Sequence, residues 1–142
     1  MFTAEADIKV RYAETDQMGV VYHANYIIWF EIGRTALIEK LGFSYADMEK
    51  EGILSPVTHV EANYKKPLTY GDSATVITAV KEYNGLKVVY EYEIRNNEGD
   101  LCVTGCSTHV CVKKDTFRPI SIKKVFPAWH AAYLNAAGED GR

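Results

Sequence analysis

The stretch from Ala24 to Leu41 constrains what this chain can become more than any other. It reads as a helix, with Asn25 or His23 placed to cap its start and Gly42 placed as a left-handed stop. Tyr26, Ile27, Ile28, Trp29, Phe30, Ile32, Ala36, Leu37, Ile38 and Leu41 cover more than one of its faces. A surface helix shows a single apolar stripe, whereas a helix that is apolar almost all round must be surrounded. Only a narrow strip of Glu31, Arg34, Thr35 and Glu39 is left for solvent, and Glu31 and Arg34 stand three apart, where they can pair. The remainder of the chain has to supply the wrapping.

It does so with strands. Residues 6–13 alternate, with Ile8, Val10 and Tyr12 on one side and Lys9 and Arg11 on the other. Residues 57–66, 73–83, 86–95 and 101–114 follow, rich in Thr, Val, Ile and Tyr. Pro67 ends the first of these runs because it cannot donate to a ladder. Asn84-Gly85 is a strong hairpin signal, and Asn96 to Gly99 gives a longer turn. Ser44 caps a short predicted helix over 44–51. Residues 128–137 read as another short helix, and the tail from about 138 as disordered. The expectation is an α+β fold in which one long antiparallel sheet, with a single long helix inserted after its first strand, walls in that helix. A chain of 142 residues fits one domain over 1–142.

Charge and cysteine usage narrow the function. A net charge of −3 argues against nucleic acid as a partner, since phosphate binding needs a basic face. The chain has no polybasic segment for a membrane surface and no apolar run near the roughly 20 residues of a membrane span. The N-terminus is acidic where a signal peptide would be basic and then apolar, so the expected location is cytoplasmic. Cys102, Cys106 and Cys111, with His109, invite a metal reading. In a strand, however, Cys102 and Cys106 lie about 13 Å apart, and His109 and Cys111 point to the opposite face. Buried thiols fit better, with no metal site expected.

The chemistry gathers just ahead of the long helix. Asp16, Gly19 and His23 put an acid, a turn and an imidazole within a few residues of a helix N-terminus. The run Y-x-E-T-D-x-M-G-V-V-Y-H-x-N-Y, then W-F-E-x-x-R and L-G, resembles the acyl-CoA thioesterases of the 4-hydroxybenzoyl-CoA thioesterase type, which have the hotdog fold. Tyr64-Lys65-Lys66-Pro67-Leu68 to Tyr70-Gly71-Asp72 resembles that family's second marker. The likeness spans about residues 6–120. It implies a homo-oligomer, a dimer or a homotetramer built as a dimer of dimers, with active sites between subunits. It also implies an acyl-CoA substrate and neither metal nor organic cofactor. The family's catalytic carboxylate falls on Asp16. The residue whose backbone N–H faces the thioester carbonyl falls on His23. Many bacterial members carry histidine there and the aromatic-substrate type carries tyrosine, which places this chain nearer the short-chain and general members without fixing a substrate.

Elementary chemistry supports those roles. A CoA thiolate leaves readily, since a thiol has a pKa of about 8.5. The reaction needs an activated water or nucleophile and positive potential at the carbonyl oxygen. Asp16 could supply the first and the helix N-terminus the second. Each residue also has a plainer reading. Asp16 could be a turn residue, and His23 a polar residue at a helix start. Gly19, Tyr22, Asn25 and Tyr26 would shape the thioester pocket, although Tyr26 fits the core equally well. Lys65, Lys66 and Arg118 are candidates for the CoA phosphates, although charges at strand ends commonly only protect an edge. Glu31 is a rival carboxylate with a structural partner in Arg34. Trp29, Phe30, Tyr45, Val57 and His59 could line the far wall. His59 and His109 otherwise read as structural. Two other functions fit the pattern, an enoyl-CoA hydratase or dehydratase on the same fold, and a non-catalytic acyl-CoA-binding protein.

Overall fold

The computed structural model describes residues 2–138. The expected disordered tail therefore lies outside the described residues, apart from Gly138. Strands β1 (Thr3–Lys9), β4 (Ser73–Tyr83), β5 (Lys87–Asn96), β6 (Leu101–Val110) and β3 (Val57–Tyr64) form one antiparallel sheet in that spatial order. Strands β2 (Ile53–Leu54) and β7 (Val112–Lys113) form a small second pair. The helices are α1 (His23–Lys40), α2 (Tyr45–Lys50), α3 (Ile122–Val125) and α4 (Pro127–Gly138). None of them is long and apolar enough to cross a membrane.

The sequence reading and the fold differ in four places. The first strand runs from Thr3 to Lys9, because residues 12–14 coil into a 3₁₀ turn in which Glu14 Oε1 accepts from the Arg11 amide. The last strand breaks at Cys111, and Val112 and Lys113 leave the main sheet to pair with Leu54 and Ile53. Helix α1 begins at His23 behind Tyr22, with no side-chain cap, so neither Asn25 nor His23 serves as N-cap. The sheet is also not a plain meander. Strands β4, β5 and β6 follow one another, but β3 pairs with β6 at the far edge.

That last departure builds the site. The connection from β3 to β4 must cross past β6 and β5. It is pinned on the way by Lys65 and Lys66 amides on Cys102 O, by the Val21 amide on Leu68 O and by the Val10 amide on Asp72 O. The crossing segment thus passes directly beside the entry to α1.

The sheet grips α1 along one stripe. Tyr26, Trp29, Phe30, Gly33, Leu37 and Ile38 are buried, each large side chain adding about 1.5–3 kcal/mol. Phe30 stacks on Tyr92 at 4.3 Å. Two glycines permit the close approach. A Cβ on Gly33 would meet Thr78 Oγ1 at 2.4 Å, and one on Gly105 would meet the Phe30 ring at 2.6 Å. One sheet, however, reaches only one side of a cylinder. Ile27, Ile28 and Ile32 remain 37%, 56% and 41% exposed, so a single chain does not enclose the helix.

Candidate active site

Asp16 sits in a loop that the surrounding backbone holds at several points. Its amide donates to Val20 O, its carbonyl accepts from the Gly19 amide, and Thr15 bridges Val21. Its Oδ1 accepts from the Met18 amide at 2.9 Å, which closes a local turn. So the plain turn role is present, but it occupies one carboxylate oxygen. Among the described residues the other has no hydrogen bond, and the side chain is only half-buried. Gly19 takes φ +83° at the tip, a conformation that favours glycine.

Asp16, Met18, Val20, Val21, His23, Tyr26, Tyr64, Lys65, Lys66 and Pro67 line one cleft of about 260 Å³. Both sequence markers therefore meet in one place. His23 opens α1 with its ring 4.5 Å from Tyr22 and 6.2 Å from Tyr64. The Tyr64 hydroxyl donates to His23 O, and its ring lies 5.6 Å from that of Tyr26. The Asn25 amide turns back onto Tyr22 O, which leaves the amides of His23 and Ala24 as open donors of the first turn. No acidic residue lies in that turn to offset the positive end of the helix dipole.

The other expected residues fall in different places. Gly19 and Tyr22 are exposed beside the cleft and do not line it. Asn25 Nδ2 donates to Glu14 O at 2.8 Å, so this side chain ties the loop to the helix. Lys66 Nζ lies 2.6 Å from Asp100 Oδ2, a partner that raises its pKa, while Lys65 lines the cleft beside it. Arg118 is not part of this group. It borders a separate depression with Lys113, Asp115 and Thr116, beyond the other end of β6. Glu31 is exposed and 4.0 Å from Arg34. Trp29 and Phe30 are core, while Val57 and His59 are exposed on β3, and His59 is 3.1 Å from Glu61. Among the described residues no cluster could hold a metal ion, and all three cysteines are free.

Sequence reasoning missed Glu14. It is buried, its Oε2 accepts from Trp29 Nε1 at 2.9 Å, and its Oε1 accepts from the Arg11 amide at 2.8 Å. Burial alone would raise its pKa, but the hydrogen bonds from Arg11 and Trp29 outweigh it and the net shift is downward. The signal available was its place as the E of the run Y-x-E-T-D, among the polar residues Arg11, Thr15, Asp16 and Gln17, which marked the position without showing its role.

A curved antiparallel sheet gripping one long helix, with a carboxylate and an open helix N-terminus sharing a cleft, defines the class of hotdog-fold thioesterases. The chain belongs to the thioesterase-like superfamily, whose family model matches residues 10–130, and it is an enzyme of that class. It is 56% identical over 136 residues to YneP of Bacillus subtilis (strain 168), named as an acyl-CoA thioesterase, which covers 96% of this chain and 99% of the relative. It is 26% identical over 121 residues to the 1,4-dihydroxy-2-naphthoyl-CoA hydrolase of Thermosynechococcus vestitus, covering 84% of this chain and 83% of the relative. Among solved structures, the DHNA-CoA thioesterase from Staphylococcus aureus superposes with a TM-score of 0.95 at 50% identity, covering 100% of this chain and 97% of that one.

Proposed function

We propose that this thioesterase hydrolyses acyl-CoA thioesters to the free acid and CoA, with Asp16 as general base or nucleophile. The observation that carries the reading is the meeting of a half-free carboxylate and an uncapped helix N-terminus in one cleft. A thioester carbonyl seated at the amides of His23 and Ala24 gains the donors and dipole that a developing oxyanion needs. Asp16 then faces the carbonyl carbon or the attacking water. A water route takes its proton to the carboxylate, and a nucleophilic route forms an anhydride that water later opens. In both, the electrons of the breaking C–S bond leave on the CoA sulfur. The His23 ring packs on Tyr22 and Tyr64 as a wall of the cleft, and its backbone carries the polarising role.

The acyl group proposed is a flat aromatic one. Rings of His23, Tyr26 and Tyr64 surround the cleft, and the 50%-identical Staphylococcus aureus relative is a DHNA-CoA thioesterase. The resemblance at His23 pointed toward short-chain and general members without fixing a substrate, and this proposal commits to an aromatic one. Among the described residues, Lys65 is the lysine of the cleft that has no carboxylate partner, and it is the proposed cation for the CoA phosphates. Three unpaired cysteines fit a reducing, cytoplasmic setting.

The cleft of one chain is small for such a substrate, since ligand pockets commonly reach about 300–1,000 Å³. A second copy completes it in this proposal. Ile27, Ile28 and Ile32 on α1 are exposed, and so are Val57, Val60 and Tyr64 on β3, an edge strand that carries unpaired backbone groups. The outer face of the sheet, around Ile77, Glu91, Glu93 and Thr104, is free for dimers to pair again.

The test is Asp16→Asn assayed for thiol release on 1,4-dihydroxy-2-naphthoyl-CoA, benzoyl-CoA, butyryl-CoA and palmitoyl-CoA. The parent should prefer the aromatic esters. The variant should keep its oligomeric state and lose about 100-fold or more in kcat. A variant as fast as the parent overturns the assignment of Asp16. Conversion of an enoyl-CoA without thiol release would favour a hydratase.

A further inference from the structure

We propose that Glu14 is a positioning residue for the reaction, holding the Asp16 loop in register with the start of α1. The inference rests on the reading of Asp16 as the catalytic group. One residue, Thr15, separates the two acids, and both flank the same short bridge between Thr15 and Val21. Glu14 is the point where that loop is tied to the helix at three levels. Its carbonyl accepts from the Tyr22 amide and from Asn25 Nδ2, both at 2.8 Å. Its carboxylate accepts from Trp29 Nε1 on the next helical turn. Its other carboxylate oxygen accepts from the Arg11 amide at the end of the β1 segment. The Arg11 guanidinium adds a longer contact of 3.4 Å from a largely exposed side chain.

The carboxylate is the side chain this arrangement requires. Both oxygens receive an N–H, one from the backbone and one from the indole. An amide in the same place can accept at only one of them and turns an NH₂ against a donor at the other. Glu14→Gln therefore breaks one tether with almost no change in volume. A shift of about 1 Å in a reacting group costs on the order of 100-fold in rate, so a loosened loop should be visible in turnover. The two tethers also separate by chemistry, because Trp29→Phe removes the indole donor and keeps an aromatic ring in the core.

The experiment measures kcat and KM for thiol release by Glu14→Gln and Trp29→Phe, each alone and combined with Asp16→Asn, on the acyl-CoA that the parent turns over fastest. Each single variant should lose about 30-fold or more in kcat, with KM within about threefold and an unchanged circular dichroism spectrum. In the Asp16→Asn background, adding Glu14→Gln should change the residual rate by less than about threefold, because the group being positioned is gone. A fall in melting temperature with kcat unchanged overturns the proposal and leaves the tether purely structural. A full additional loss on top of Asp16→Asn also overturns it, since Glu14 would then act elsewhere. If Glu14→Gln does not fold, Trp29→Phe decides by the same criteria. An active Asp16→Asn sinks the parent reading and this inference together, whereas an inactive Asp16→Asn with a fast Glu14→Gln sinks this inference alone.

Discussion

At the residue scale, the inside of the sheet holds a chain of hydrogen bonds that runs from Arg34 to the Ser55 carbonyl. Arg34 can only donate, and it reaches the Tyr92 hydroxyl through a long 3.5 Å contact. Tyr92 then donates to Ser107 at 2.6 Å, and Ser107 donates to His109 Nε2 at 2.9 Å. His109 Nδ1 donates to the Ser55 carbonyl at 3.4 Å, which can only accept. With its pKa lowered, the imidazole is neutral near pH 7, and the Nδ1–H tautomer fits the Ser55 carbonyl on one side and the Ser107 hydroxyl on the other. Burial first, and the Arg34 charge second, push its pKa down from 6.5 to about 4. The unfolded chain takes up this proton near pH 6.5, while the folded chain resists until about pH 4. Stability is therefore full above pH 6.5 and falls as pH drops through that window, by a total of about 3 kcal/mol. Urea unfolding from pH 7.5 to 4.5 should show this slope, and His109→Gln should flatten it. A parent with constant stability over that range contradicts the assignment. The residue scale is also where the sequence was least legible. Asp16 and His23 stood out because a motif surrounded them. Glu14 and His109 act through partners 15 and 54 residues away in the chain, Trp29 and Ser55, and no local pattern announces such contacts.

At the element scale, the sequence was read well wherever local chemistry decides the outcome. Asn84-Gly85 makes its hairpin, with Asn84 Oδ1 accepting from the Leu86 and Lys87 amides and Gly85 at φ +91°. Ser44 caps α2 by accepting from the Ala46 amide. What eluded it was decided between elements. Alternation gives β3 a face but not a neighbour, so its place beside β6 was not visible. The closeness of α1 to the sheet was equally hidden, because it depends on Gly33 lying against Thr78 and Val76 of β4. A helical glycine reads only as a weak helix former. Gly33→Ala would raise helix propensity, yet its methyl would fall 2.4 Å from Thr78 Oγ1 and 2.7 Å from Val76 Cγ1. The clash outweighs the gain of up to about 1 kcal/mol in propensity, since overpacking costs about 1–3 kcal/mol and would push α1 off the sheet. Thermal unfolding should show Gly33→Ala less stable than the parent, and Gly33→Ala with Val76→Ala partly restored. A more stable single variant would mean that the helix sits farther from the sheet.

At the scale of the whole molecule, the proposed pairing of two copies addresses the oily helix and the β3 edge strand together. The helix that the sequence says must be surrounded leaves Ile27, Ile28 and Ile32 exposed, and β3 is an edge strand with one side unpaired. A two-fold pairing of β3 with its copy covers both at once and is isologous, so it closes. In such a pair the two β3 strands run antiparallel, which sets the Val57 end of one beside the Tyr64 end of the other. Arg118 lies toward the Val57 end of its own chain, since Val57 pairs with His109 and the Lys113 amide bonds Arg118 O. Its distance from Lys65 within one chain then becomes intelligible, because it would serve the neighbour's cleft. Subunit mixing tests this directly. Asp16→Asn homodimers should be inactive, and Arg118→Ala homodimers should show a raised KM for acyl-CoA. Mixed by unfolding and refolding together, half the dimers are hybrids, and each hybrid has one site with both Asp16 and Arg118 intact. Such a mixture should recover about a quarter of the parent's kcat/KM at low substrate. If Arg118 acts within its own chain, hybrids contain no intact site, and the mixture should show only the average of the two variants.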